Sequence, residues 1–114
     1  MTYYIKPTIK KRLVDFEGIK YAVTDYLEIN PALLDARFKK SEVIFARQLI
    51  SYFSRRYTFL VYKSIAEKLN TSFRTVGFDD EAIKKYIHEN EIYINIVIKG
   101  VIEKLHENYR VVER

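Results

Sequence analysis

Ser64-Ile65-Ala66-Glu67-Lys68-Leu69-Asn70-Thr71-Ser72-Phe73-Arg74-Thr75-Val76 reads as a helix, a tight turn and the start of a second helix. Ile65, Ala66 and Leu69 supply the inner face of the first helix. Ala66 is small enough to admit a close neighbour. Asn70 tolerates a left-handed backbone and can end the helix. Ser72 can cap the next one, because its hydroxyl accepts an orphan amide proton. Val76 then points back onto Ile65 and Leu69. This is the local grammar of a helix-turn-helix, a module that often lays its second helix in the major groove of DNA.

Outward from that stretch, composition argues for helices. The chain has 114 residues, which suits one domain, here divided into a basic arm (1–14), a core (15–90) and a closing helix (91–114). Hydrophobic residues make up 48%, enough for a real core, and only 3 Gly and 2 Pro stand against a turn-rich β-sandwich. Cysteine is absent, so disulfides and thiolate metal sites are excluded and a reducing, cytoplasmic setting is expected. Met1 to Arg12 lacks the apolar core of a secretory leader. No apolar run approaches the roughly 20 residues of a membrane-spanning helix. The net charge of +5 suits nucleic acid or an acidic protein surface, and equally suits plain solubility.

Five helical segments follow from periodicity. Phe16, Ile19, Ala22, Val23, Tyr26 and Leu27 form one stripe between about Asp15 and Glu28. Asn30-Pro31 is a stop and a restart, leading into a short helical turn to Phe38 with Leu33 and Leu34. Ser41 to about Tyr57 carries Val43, Ala46, Leu49, Ile50 and Phe53 inward. Tyr62 to Leu69 is the first motif helix. The second opens at Ser72 and extends towards Asn90, unless Gly77 and the cap-like pair Asp79-Asp80 split it. Ile92 to Tyr109 closes the chain. Its start alternates as a strand would, through Ile92, Ile94, Ile96 and Ile98, and such a strand could pair with Tyr3-Tyr4-Ile5. The length of the segment favours helix.

With the segments in order, residues from about Ile19 to Val76 resemble the C-terminal duplex-binding domain of the bacterial replication initiator DnaA. The resemblance is carried by Ala22-Val23-Thr24-Asp25-Tyr26-Leu27, by Asn30-Pro31-Ala32-Leu33-Leu34, and by Arg37-Phe38-Lys39-Lys40-Ser41-Glu42-Val43-Ile44-Phe45-Ala46-Arg47-Gln48-Leu49-Ile50-Ser51-Tyr52-Phe53. It implies an all-α bundle of about five helices of Trp-repressor/DnaA C-terminal type, with a recognition helix in the major groove and a basic loop near the minor groove. That family opens its recognition helix with Gly-Gly, a basic residue, Asp-His, Thr or Ser, Thr and Val. Here Thr75 and Val76 match, while the Asp-His pair is missing. Three carboxylates, Asp79, Asp80 and Glu81, follow closely and would repel phosphates. The family's sequence preference is therefore not expected to carry over. With no P-loop or ATPase module, replication initiation itself is excluded.

Candidate DNA-binding residues follow. Arg74 suits a bidentate grip on guanine. Ser72 and Thr75 can donate to phosphate or base, and Phe73 can touch a thymine methyl. The resemblance assigns Arg37, Lys39, Lys40 and Arg47 to backbone or minor-groove contacts, and Lys63 can hold a phosphate. Taken singly, each Lys or Arg reads as a solvated surface charge; grouped around the motif they point to DNA.

Other chemistry is thin. His88 and His106 are the only histidines and read as surface residues, not metal ligands. Asp79-Asp80-Glu81 reads as a helix amino terminus before it reads as a metal or acid–base cluster. An enzyme is not expected, nor a cofactor. The expectation is a double-stranded DNA-binding module, a small regulator or replication-associated accessory. The alternative is a protein-interaction or inhibitor module of a phage or mobile element on the same scaffold. Either can coexist with a homodimer through Ile94, Ile98, Val101 and Leu105 of the closing helix.

Overall fold

The computed structural model describes residues 11–36 and 39–114, with side chains at 35 and 36 left aside. It is all-α apart from one two-residue strand pair. The order is β1 (Arg12–Leu13), α1 (Phe16–Leu27), a 3-10 turn (Pro31–Ala36), α2 (Ser41–Tyr57), α3 (Tyr62–Leu69), α4 (Phe73–His88), α5 (Ile92–Asn108) and β2 (Tyr109–Arg110). No helix among the described residues is long and apolar enough to cross a membrane.

Local chemistry sets the boundaries. The Asp15 carboxylate accepts the Gly18 amide at 2.8 Å and starts α1. Glu28, Asn70 and Asn90 each adopt left-handed backbone where a helix ends, which frees the chain to reverse after α1, α3 and α4. Asn30 accepts the Ala32 amide at 3.0 Å, turning the chain into the 3-10 segment. That segment ends at Ala36, short of the expected Phe38, which lies outside the described residues.

The core is built around α2, which packs on α1, α3 and α4. Its Ala46, Leu49, Ile50 and Phe53 are wholly buried, each of the larger ones contributing about 1.5–3 kcal/mol of apolar burial. Ile65, Leu69 and Val76 meet in the same cluster, as the spacing predicts. Two open points of the sequence are decided here, one of them as a correction. First, α4 is continuous through Gly77 and Asp79-Asp80, so these carboxylates lie within a helix and not at its amino terminus. Second, Ile92 to Ile98 is helix throughout, as the length of the segment favours. Its alternating isoleucines divide between the core (Ile94) and solvent (Ile92 and Ile96). The proposed partner strand, Tyr3-Tyr4-Ile5, lies outside the described residues.

The strand that does form was not anticipated. Arg12 pairs in parallel with Tyr109, and Leu13 with Arg110. This clip joins the segment before α1 to the segment after α5. Two glycines seat the same two elements. The Tyr26 ring of α1 occupies the space over Gly100 of α5, and the Tyr109 ring occupies the space over Gly18 of α1. A β-carbon at either glycine would collide with the ring.

Gly77 is different. A β-carbon there would sit 3.5 Å from the Tyr62 ring, an ordinary contact. Gly77→Ala should therefore raise stability by up to about 1 kcal/mol, the helix-propensity gain. Gly100→Ala should lower the melting temperature. Urea and thermal melts check both; equal responses would show that the ring packing at Gly100 yields freely.

Candidate nucleic-acid interface

The connection between α3 and α4 is three residues long, and each has a fixed task. Asn70 has φ 55° and ψ 49°, and its amide bonds back to Ala66 and Glu67. The Thr71 amide donates to the Ala66 carbonyl at 3.0 Å. Ser72 Oγ accepts the Thr75 amide at 3.1 Å and lies 2.9 Å from the Thr75 hydroxyl. The turn expected from the sequence is present residue by residue. The Ser72 and Thr75 hydroxyls, both candidate contacts, are partnered with each other at the amino end of α4.

Lys39, Arg47, Leu69, Asn70, Thr71 and Ser72 line one groove of about 360 Å³ beside that amino end. Two cations, a helix amino terminus and three small polar residues thus converge from α2, its preceding loop and the turn. Arg47 is held from behind, with Nη2 donating to the Leu34 carbonyl at 2.8 Å. A surface of this composition favours an anion. Lys40 is exposed immediately before α2, and Lys63 is exposed in the first turn of α3; neither lines the groove. Arg37 lies outside the described residues.

The three carboxylates are turned to separate uses. Asp80 is 1% exposed. Its Oδ2 accepts the Tyr62 hydroxyl at 2.6 Å and pairs with Lys84 Nζ at 3.1 Å. Burial, then the neighbouring Asp80, pushes the Tyr62 phenol above its usual range, so it stays a proton donor. The hydrogen bond to Asp80 raises Lys84 as well. Glu81 is exposed and pairs with the same lysine at 3.5 Å. Asp79 is half-buried on the side facing Arg47, and burial pushes its carboxyl up to about 6 against the partial relief of that guanidinium.

With Asp80 inward, the outward line of α4 is Arg74, Phe78, Glu81 and Lys85, all exposed and spaced four, three and four residues apart. Thr75 is exposed on the flank it shares with Asp79. Phe73, 62% exposed, lies on the flank it shares with Gly77 and Asp80. Sequence reasoning missed Phe78 and Lys85. The available signal was their spacing from Arg74, obscured while a break at Gly77 and Asp79-Asp80 stayed open as an alternative to a helix reaching Asn90.

The closing helix turns the expected dimer stripe inward. Ile94, Val101 and Leu105 are buried in the core, and Ile98 packs against it. They are taken up by the monomer's own apolar interior. The outward face of α5 is instead Ile92, Tyr93 and Ile96, with Tyr93 stacked on Phe45 at 6.0 Å. A separate, mainly apolar pocket of about 520 Å³ lies between the start of α1 and the loop after α2. It is framed by Phe59 beneath the Arg114 guanidinium at 3.7 Å.

No family model matches the chain, and none of the characterised proteins compared with it matches.

Two expectations test this geometry. Tyr62→Phe removes a donor from a buried carboxylate and should cost about 1–3 kcal/mol in a urea melt. A variant as stable as the parent would show that the bond contributes nothing. For Asp79, the folded carboxyl titrates above the ordinary 3.8, so the folded state takes up its proton first. Its contribution is full below about pH 4 and is lost as pH rises through 6. Asp79→Asn should therefore melt above the parent at pH 8, with the gap closing as pH falls towards 4. A gap independent of pH would contradict the assignment.

Proposed function

We propose that this chain is a double-stranded DNA-binding module of helix-turn-helix type, belonging to a small regulator or replication-associated accessory. In this reading α4 enters the major groove. Arg74 grips a base edge, and Ser72, Phe73 and Thr75 line the entry. Lys39, Lys40, Arg47 and Lys63 contact the backbone, with Arg37 in the same basic segment. The observation that carries the proposal is the single groove holding Lys39, Arg47 and the amino end of α4, next to an outward helix face freed of Asp79 and Asp80. Cations converge where phosphates would lie; of the carboxylates that would repel them Asp80 is buried and Asp79 half-buried, and the exposed Glu81 is paired with Lys84. The sequence resemblance to the DnaA C-terminal domain supports the same docking. Loss of that family's Asp-His pair implies a different target sequence.

A second reading, the protein-interaction or inhibitor module, is favoured by one observation: the exposed apolar residues Ile92, Tyr93 and Ile96. A homodimer through α5 would use this outward face, not the buried stripe.

Titration against mixed duplex DNA at two salt concentrations separates the readings. Binding that falls steeply with salt is expected. Lys39→Ala should weaken it across all sequences and reduce the log–log salt slope by about 1. Arg74→Ala should cost about 1–3 kcal/mol on a selected site and relax its sequence preference. Absence of binding at low salt would overturn the DNA reading and leave the interaction module.

A further inference from the structure

Phe78 has no structural task that accounts for it. It is 69% exposed in the second turn of a well-formed helix, while the apolar side of that helix is supplied by Val76 and Ile83. Its neighbours along the outward line are Arg74, one turn before, and Glu81, one turn after, with Lys85 a further turn on. Glu81 on the same line is paired with Lys84, which limits its repulsion of an anion. In the DNA reading the ring shares the outward line of α4 with Arg74, so it faces the same groove floor one turn further along. It suits a surface that is anionic overall and carries isolated apolar groups. The major groove of duplex DNA has that character, with phosphates on its rims and the C5-methyl of thymine projecting from its floor.

Resting on the DNA reading above, we propose that Phe78 is a specificity-determining residue that reads a thymine methyl, one helical turn beyond the base gripped by Arg74. Phe73 is less well placed, because it lies on the flank shared with Gly77 and Asp80. The preferred site therefore contains a thymine at fixed spacing from the base read by Arg74. Recognition depends on the methyl group and not on the hydrogen-bonding edge of that base.

Uracil differs from thymine only by that methyl. A random-sequence duplex pool is first enriched on the full chain, and the selected duplex is then resynthesised with uracil replacing thymine at one position at a time. At one or two positions the parent should lose roughly fourfold in affinity, the ratio that corresponds to burying one methyl-sized group. Phe78→Ala should bind the thymine duplex more weakly and lose this discrimination. Phe78→Leu, which keeps an apolar contact, should retain most of it. The exposure of Phe78 makes misfolding of either variant unexpected, and circular dichroism confirms the helix content. Binding of the parent with no uracil effect, or an equal effect in Phe78→Ala, overturns the role of Phe78 and leaves DNA binding intact. Absence of duplex binding at low salt overturns both proposals.

Discussion

The Tyr62–Asp80 hydrogen bond fixes the rotation of α4, and most of the candidate site depends on that rotation. A helix can present any of its faces to a core of modest size, and a turn either way would exchange the exposed and buried sets. Asp80 removes the freedom. A buried carboxylate without partners is costly, so it must meet the Tyr62 hydroxyl and the Lys84 ammonium together. Val76 and Ile83, on the same side of the helix, enter the core in the same setting. Polar and apolar constraints agree, and Arg74 and Phe78 are left facing solvent.

The same bond changes the meaning of local charge. Counted along the sequence, Asp79-Asp80-Glu81 is a block of three negative charges beside a basic motif. Counted in space, one is buried against a phenol, one lies half-buried towards Arg47, and one shares a lysine. Fields at an interface depend on where charges point and how well water screens them. Asp80 therefore adds nothing to the exposed face of α4, while Asp79 partly offsets Arg47, one of the two cations of the groove beside Ser72.

This contrast explains what could be read from the chain and what could not. The α3–α4 turn was legible because each of its rules is local: Asn70 for the left-handed residue, Ser72 for the cap, and Ile65, Leu69 and Val76 for the apolar contact. The boundaries of α2 and α3 were legible for the same reason. Asp79-Asp80 misled because the pair satisfies a local rule, the helix cap, that a tertiary bond from Tyr62 overrides. The alternation of Ile92 to Ile98 left a strand open as the alternative, since a helix with two apolar sides contains an alternating subset; the length of the segment decided rightly for helix. Gly18 and Gly100 gave no signal at all. Their use is to receive tyrosine rings from elements distant in sequence, and no spacing rule predicts such a pairing. The β1–β2 clip, two residues on each side, falls below the length at which strand periodicity can be detected.

Phe78 is where local and tertiary logic meet. On the reading in which α4 breaks after Gly77, Phe78 is a loop residue and carries no directional information. In a continuous helix it falls one turn beyond Arg74, and its exposure acquires meaning. A protein of this size has ample apolar material for its core. Among the described residues twenty-two buried hydrophobic side chains already form one cluster, so Phe78 is not exposed for want of a place inside. The core does not call for an aromatic side chain on the outermost line of α4 between Arg74 and Glu81, and that is why its exposure invites the reading proposed for it.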